Sequence, residues 1–256
     1  MSSVWTTVCH AEAIAQERAM KNYHYIFWTK FYEYAFRKND NGENMIYMFH
    51  SIYEGETNPK EFKTNKESFE LFLRKELEKR KVTSLNQIVE GKIKKSFAIT
   101  FDDVFENVYT NAYPILKRYQ VPFTLFVSTG LLDQPGYLTS GQLLELSRDR
   151  LCTVGAHTVH HVRLRTNQQS YQEIADSKKE LENVIGKKIE FFAYPYGSIF
   201  ACSKKNVKQV EKVGFAAAFS TIKGFVPLKS DKYRFFLPRN NGDHFVKYME
   251  EKEESE

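Results

Sequence analysis

Two adjacent acids and a cluster of histidines are the residues of this sequence that could do chemistry together. Asp102 and Asp103 directly follow the apolar run FAITF (97–101), and the motif HTVHH places His157 and His161 four residues apart. Two imidazoles at this spacing can bind one ion, with a carboxylate as the third ligand. Two nitrogens and one oxygen, with positions left open for water, are typical of a catalytic zinc-type site. The carboxylate that does not bind the ion could then take a proton from the water.

Each motif also has a purely structural explanation. Asp102 and Asp103 could cap the helix that follows them, since acids at this position accept hydrogen bonds from free backbone N–H groups. The histidines of HTVHH could belong to a hydrogen-bonded loop that binds no metal. Both explanations weaken when the two motifs occur together at the ends of predicted strands.

The motifs lie in a chain whose strand-like runs alternate with helical patterns. The runs are MIYMF (45–49), FAITF (97–101), FTLFV (123–127), LCTVGAH (151–157), FFAYP (191–195), FAAAFS (215–220) and RFFLP (234–238). Apolar strands that alternate with helices indicate a largely parallel sheet covered by helices. We predict an α/β fold in which about seven strands could close into a barrel.

Cap signals predict where several helices begin and end. Thr64 with Glu67, and Ser170 with Glu173, have the spacing of a capping box at a helix start. The glycines at positions 186 and 214 each follow a helical pattern and are expected to end it.

Further polar residues follow other strand-like runs. His50 comes after the first run, Tyr196 after the fifth and Arg239 after the seventh. In barrels and open α/β sheets, functional sites lie at the carboxyl ends of the strands. We therefore expect these side chains to converge with the aspartate pair and the histidine cluster.

At these residues the sequence resembles the polysaccharide deacetylase family, carbohydrate esterase family four, from about Met45 to Arg239. TFDD (100–103) is similar to the first family motif, HTVHH (157–161) fits the second, His-Ser/Thr-x-x-His, and AYPYG (193–197) resembles the third. The resemblance implies a distorted (β/α) barrel of about seven parallel strands.

The resemblance also implies a role for each motif residue. Asp103, His157 and His161 would hold a divalent metal, most commonly zinc, and Asp102 would be the general base. The backbone N–H of Tyr196 would help to stabilise the oxyanion. The implied reaction is hydrolysis of an N-acetyl group, or less often an O-acetyl group, on an amino sugar of a poly- or oligosaccharide. Within the second motif, Thr158 would steady the loop and His160 would be an exposed bystander.

The chain departs from the family pattern at two positions. Many members carry a late Leu-x-Leu-His that supplies the general acid, whereas this chain has FFLPRNN, so His50 and His244 are the candidate acids. His50 is better placed because it follows a strand. Phe192 stands where the common third motif has an arginine that orients the base. We expect Arg239 to pair with Asp102 instead.

Composition and charge limit the classes of protein to which this chain can belong. The 256 residues carry a net charge of +5 without a basic stripe or a nucleic-acid-binding module, which argues against a nucleic-acid partner. The sequence contains no run of about 18 apolar residues, so we predict no transmembrane segment. The N-terminus lacks the pattern of a signal peptide. Three cysteines without paired spacing suit a reducing compartment. These features predict a cytoplasmic location, although a chain trimmed of its leader would look the same.

We divide the chain into a helical N-terminal extension (1–40), a deacetylase-like barrel (41–246) and an acidic tail (247–256). The extension could cover the open side of the barrel or mediate a homo-oligomer contact. Two alternatives to a deacetylase acting on an acetylated amino sugar remain open. One is an amide or cyclic imide hydrolase on the same scaffold. The other is a non-catalytic carbohydrate-binding protein with a vestigial metal site.

Overall fold

The computed structural model describes residues 30–31, 34, 36, 44–228 and 231–253. The proposed N-terminal extension (1–40), and with it the proposed oligomer contact, therefore lies almost wholly outside the described residues. The four positions described within it are helical. The barrel predicted from the sequence falls almost entirely within the described part of the chain.

Residues 44–228 and 231–253 contain ten β-strands and seven α-helices. The strands are β1 (Met45–Phe49), β2 (Ser51–Tyr53), β3 (Lys63–Asn65), β4 (Lys81–Val82), β5 (Ser96–Asp102), β6 (Phe123–Val127), β7 (Cys152–Ala156), β8 (Phe191–Ala193), β9 (Ala217–Phe219) and β10 (Asn240–Asn241). The helices are α1 (Lys66–Lys79), α2 (Leu85–Val89), α3 (Tyr113–Arg118), α4 (Ser140–Arg148), α5 (Ser170–Ile185), α6 (Lys204–Val213) and α7 (Gly242–Glu253). None of the helices in the described ranges combines the length and the apolar character needed to cross a bilayer.

The central sheet is parallel and curls into a barrel. Its order is β10-β1-β5-β6-β7-β8-β9, and β4 pairs with the start of β5. The segment leading into β10 joins the two edges, because Leu237 bridges to Phe219 in β9 while Asn240 pairs with Tyr47 in β1. The predicted α/β fold, a distorted barrel of about seven parallel strands, is confirmed. The short strands β2 and β3 form a separate parallel pair that the sequence analysis missed.

Side chains that point alternately to the two faces of the sheet divide the core into two layers. In β5, Phe97 and Phe101 belong to a large apolar cluster that includes residues of the surrounding helices, the outer cluster. Ala98 belongs to a second apolar cluster inside the barrel, the inner cluster. Thr100 and Asp102 continue the inward face, because successive side chains of a strand point to opposite sides. The strand therefore carries Asp102 to the carboxyl end of the barrel interior.

The last predicted strand, RFFLP (234–238), is wrong in extent. The chain turns there, with the N–H of Phe236 donating to the carbonyl of Tyr233 at 2.7 Å. Leu237 forms a β-bridge to Phe219, and the carbonyl of Arg234 accepts the N–H of Ala218 at 3.0 Å. The strand that completes the ring is β10, after Pro238. Proline has no N–H to donate to a ladder, which explains why strand pairing does not run through this stretch.

Both predicted capping boxes are wrong. The residue before α1 is Asn65, whose side chain accepts two backbone N–H groups, while the hydroxyl of Thr64 donates to Asp243. Helix α5 begins at Ser170 itself, so Ser170 is not the cap. Glu173 bonds instead to the loop that carries the histidine motif. In both cases a side chain assigned to a local cap is used in a long-range contact.

The predicted helix ends are confirmed where glycine is involved. Gly186 and Gly214 follow α5 and α6 with φ of 66° and 86°, the left-handed conformation that glycine adopts without strain. The described residues of the acidic segment 247–256 form the second half of α7.

Candidate active site

The residues singled out in the sequence converge at one cavity of about 810 Å³ at the carboxyl ends of the strands. Arg239 is fully buried and hydrogen bonded to Asp102, which lines that cavity. The other candidates all line the cavity itself: His50, Asp102, Asp103, His157, His161, Tyr196 and His244.

A tight turn after β5 separates the two adjacent carboxylates. The N–H of Val104 donates to the carbonyl of Asp102 at 2.8 Å, and Asp103 and Val104 have φ of 63° and 55°. A positive φ is strained for a β-branched residue, so surrounding contacts must maintain it. One of these contacts is the N–H of Leu138, which donates to the carbonyl of Val104 at 3.0 Å. Asp102 is consequently buried, while Asp103 remains partly exposed to the cavity.

Asp102 is held by Arg239 through two parallel hydrogen bonds, Nη1 to Oδ1 at 2.6 Å and Nη2 to Oδ2 at 2.7 Å. The guanidinium also donates to the carbonyl of Ser220 and to the hydroxyl of Thr100. Such a bidentate pair fixes both the position and the plane of the carboxylate. The pairing expected from the sequence is therefore present. Phe192, at the position of the missing family arginine, packs in the outer apolar cluster.

The same pairing controls the ionisation of Asp102. Burial alone would raise the pKa of this carboxyl, but the positive charge of Arg239 outweighs it and lowers the pKa to about 2. Asp102 is therefore a carboxylate throughout the neutral pH range.

Asp103, His157 and His161 form a compact set of possible metal ligands. The Oδ1 atom of Asp103 lies 3.5 Å from Nε2 of His157 and 3.2 Å from Nε2 of His161. One ligand atom from each of the three residues lies within 4.8 Å of the others. Asp103 Oδ1 is also buried without a hydrogen-bond partner. Lone pairs that face one another in this way are stabilised by a cation, and two imidazoles with one carboxylate suit zinc.

The environment of His157 favours the form that binds metal. Its Nδ1 lies 2.8 Å from the carbonyl of Ala193, so Nδ1 carries the proton and Nε2 is left with a lone pair directed at Asp103. Burial lowers the pKa of His157 to about 4, which keeps the ring neutral.

The histidine motif is a strained loop held by a carboxylate that the sequence analysis did not identify. Thr158 and His161 have φ of 67° and 52°. Glu173 Oε2 accepts the backbone N–H groups of Val159 and His160 at 3.1 and 3.0 Å. His160 is exposed, as expected, but its Nδ1 also contacts Glu173 at 2.8 Å. The only sequence signal was an acid in the first turn of α5, which we assigned to a capping box.

A second strained turn presents Tyr196. Tyr196 and Gly197 have φ of 60° and 49°, and Thr221 donates to both carbonyls, from its hydroxyl at 3.1 Å and its N–H at 3.0 Å. A Cβ on Gly197 would lie only 2.4 Å from Thr221, so the close approach of the two loops requires glycine. Within the described residues the N–H of Tyr196 donates no hydrogen bond. Its ring is about half exposed and packs on His161.

His50 has a buried acidic partner that was also missed. Its Nδ1 lies 3.6 Å from Oδ2 of Asp243, and neither atom has a hydrogen-bond partner among the described residues. Burial acts to lower the pKa of His50, but the carboxylates of Asp243, Asp102 and Asp103 outweigh it and raise the pKa above its usual value. Asp243 came as a single acid at the start of the last helix, with no motif to mark it.

Known proteins are similar to this chain in both sequence and fold. The profile of the Polysaccharide deacetylase family matches residues 90–218, half of the chain. The Bacillus subtilis protein YxkH is 30% identical over 162 residues, which are 61% of this chain and 57% of YxkH. The poly-β-1,6-N-acetyl-D-glucosamine N-deacetylase of Staphylococcus aureus is 28% identical over 172 residues, 60% of this chain and 58% of that enzyme.

The alignments thus span less than two thirds of the length of these relatives. Among solved structures, the Streptococcus pyogenes deacetylase PplD in complex with acetate is similar with a TM-score of 0.68 and 25% identity. That match covers 77% of this chain and 91% of PplD. The chain belongs to the polysaccharide deacetylase family.

Proposed function

We propose that this chain is a metal-dependent deacetylase that hydrolyses N-acetyl groups, or less often O-acetyl groups, on an amino-sugar poly- or oligosaccharide. The observation that carries the proposal is the placement of the Asp103, His157 and His161 ligand atoms beside the Asp102–Arg239 pair in one cavity. The name of the Staphylococcus aureus relative, an N-deacetylase of an N-acetylglucosamine polymer, supports the substrate class.

Asp103, His157 and His161 would hold the divalent cation, and their two nitrogens and one oxygen favour zinc. When bound, such a cation supplies Lewis acidity, which polarises a carbonyl oxygen and lowers the pKa of water. Asp102 would orient the attacking water and accept its proton. Because its pKa is about 2, Asp102 is a weak base, and its fixed position beside the ligand set would offset this low basicity.

Two further groups would complete the reaction. The N–H of Tyr196 would donate to the acetyl oxygen as negative charge develops there. As the bond between the acetyl carbon and the nitrogen breaks, His50 would give a proton to the leaving amine, and acetate and a free amino sugar result. The three carboxylates that raise the pKa of His50 favour its protonated form, as an acid requires. His244 lines the same cavity but is exposed and has no such carboxylate partner among the described residues.

The test combines metal content with acetate release, on protein purified without an affinity tag. We expect about one zinc or similar ion per chain, acetate release from N-acetylglucosamine oligomers, and loss of both after chelation or in His157→Ala. Asp102→Asn should keep the metal but lose roughly a thousandfold in kcat. Circular dichroism of each variant controls for folding. A metal-free protein that releases acetate, or an active Asp102→Asn, would contradict the proposal.

Two further measurements, of cyclic imide hydrolysis and of saccharide binding, separate the two alternatives. Hydrolysis of a cyclic imide without acetate release from any acetylated saccharide would indicate an amide or imide hydrolase. Saccharide binding that is equal in wild type and Asp102→Asn, with no turnover by either, would indicate a carbohydrate-binding protein.

A further inference from the structure

The outer wall of the cavity carries two exposed cations that the proposed mechanism does not use. Arg163 and Lys223 line the same cavity as Asp103 and His157. Within the described residues neither side chain forms an ion pair with a carboxylate. Their charges are therefore available to a ligand.

Arg163 lies close to the proposed metal ligands. Its guanidinium stacks on the ring of Tyr196, 4.4 Å from the ring centre. That ring packs on His161 with 4.8 Å between ring centres, and Nε2 of His161 lies 3.2 Å from Asp103. The positive charge is thus one aromatic ring away from the ligand set, and the stacking limits its movement.

Lys223 stands on the loop that supports the same turn. It is two residues after Thr221, which donates to the carbonyls of Tyr196 and Gly197. The neighbouring residue, Gly224, donates its N–H to the side chain of Asn240 at 3.2 Å. Because Thr221 and Gly224 anchor the chain before and after it, the backbone of Lys223 has a fixed place at the rim.

The charges of the cavity do not cancel. Asp102 and Asp103 are the acids in its described lining. The charge of Asp102 is already balanced by Arg239, and Asp103 would bind the cation. With a divalent ion in place, the cavity is positive and the outer wall adds two more cations. A field of this sign concentrates anions and repels cations.

We propose that Arg163 and Lys223 form an anion subsite, and that the substrate is an acetylated saccharide carrying a phosphate, sulfate or carboxylate group near the acetylated nitrogen. The inference rests on the proposed deacetylase function and specifies its substrate class. A guanidinium binds two oxygens of such a group at once, while the ammonium of a lysine acts as a point charge. A neutral saccharide leaves this wall unused, and one with free amines beside the acetyl group is repelled by it.

The test compares an N-acetylglucosamine tetramer with the same tetramer bearing 6-O-sulfate groups. Calorimetry with the chelated protein gives binding without turnover, and acetate release gives kcat/KM for the metal-loaded enzyme. We expect the sulfated tetramer to be preferred, by up to about fivefold for each cation. The preference should fall between roughly 0.05 and 0.5 M salt. Arg163→Gln and Lys223→Gln should each lower the ratio of the two values. Lys208→Gln, which removes an exposed charge from α6 outside the cavity, should not.

The outcomes separate this inference from the function it rests on. If neither tetramer releases acetate but the chelated protein still binds the sulfated one better, the deacetylase proposal fails and the anion subsite stands. If both are deacetylated equally and the variants leave the ratio unchanged, the subsite is wrong. It is also wrong if the variants only relieve inhibition by acetate, because the cations would then bind the product.

Discussion

The pairing of Asp102 with Arg239 is the contact on which the candidate site depends most directly. Both side chains are almost completely buried, and their two short hydrogen bonds satisfy the carboxylate from one side. Removing one partner would leave a buried charge without compensation, which typically costs about 3–5 kcal/mol. Changing the geometry while keeping the charge is therefore the more informative experiment.

We expect Arg239→Lys to lower kcat by about 10- to 100-fold with little change in KM, because a lysine keeps the charge but cannot make the two parallel hydrogen bonds that fix Asp102. Steady-state kinetics on an acetylated oligosaccharide measures both constants. Arg165→Lys is the matched control, since Arg165 is exposed and donates to two backbone carbonyls outside the cavity lining. An Arg239→Lys enzyme with wild-type kcat would show that Arg239 does not position the base.

The low pKa of Asp102 predicts a specific loss of stability in acid. A carboxyl whose pKa is depressed on folding stabilises the protein above its unfolded pKa and loses that contribution as the pH falls through the folded value. The fall from 3.8 to about 2 corresponds to about 2 kcal/mol. We expect the difference in unfolding free energy between the chelated wild type and the Asp102→Asn/Arg239→Gln double variant to shrink by this amount from about pH 5 to about pH 2. Denaturant titrations across this range measure it, and a difference independent of pH would contradict the assignment.

Among secondary-structure elements, helix α5 positions the histidine loop through one side chain. Glu173 accepts two consecutive N–H groups of that loop. Two of the loop residues, Thr158 and His161, have positive φ, which the loop alone would not maintain. The first turn of the helix thus supports the loop that carries the proposed metal ligands His157 and His161 without contacting those two side chains.

We expect Glu173→Gln to weaken zinc binding by about tenfold, since a neutral amide oxygen accepts the two loop N–H groups more weakly than the carboxylate oxygen Oε2 does. Supports outside the ligand set affect affinity to this degree. Competition with a zinc-binding dye measures the change. Asp176→Asn, an exposed acid on the same helix, is the control and should bind zinc like the wild type. Equal affinities for the wild type and Glu173→Gln would mean that the loop holds its shape without this contact.

For the molecule as a whole, the irregular segment that closes the barrel also delivers Arg239. Leu237, two residues before Arg239, is fully buried in the inner cluster and bridges to Phe219. Asn240, the residue after Arg239, pairs with β1. The closure of the sheet and the position of the guanidinium are therefore one structural feature.

We expect Leu237→Ala to destabilise the protein by about 3 kcal/mol and to lower kcat as well, because the cavity lets the segment beside Arg239 shift. Leu143→Ala is the matched control, since Leu143 is equally buried but lies in the outer layer on α4. Denaturant unfolding and kcat, measured where both variants are folded, give the comparison. An equal loss of activity in the two variants would show that closure does not affect the site.

The sequence was sufficient for the repeating order of strands and helices and for the residues of the first two motifs. Continuous apolar runs indicate buried strands. The carboxyl ends of these strands must meet, and the residues at or just after them are Asp102, Asp103, His157 and His161. It also led to the prediction that Arg239 pairs with Asp102. Phe192 replaces the arginine of the common third motif, so the positive charge beside Asp102 had to come from another strand end.

The helix caps and the supporting acids could not be predicted in this way. Glu173 and Asp243 have ordinary positions in first turns, and only the folded chain brings them to the histidine loop and to His50. The charge of the cavity wall is likewise a property of the assembled barrel, because Arg163 and Lys223 are 60 positions apart in the sequence. Contacts between distant segments depend on the closure of the sheet, and local sequence patterns do not predict which segments that closure brings together.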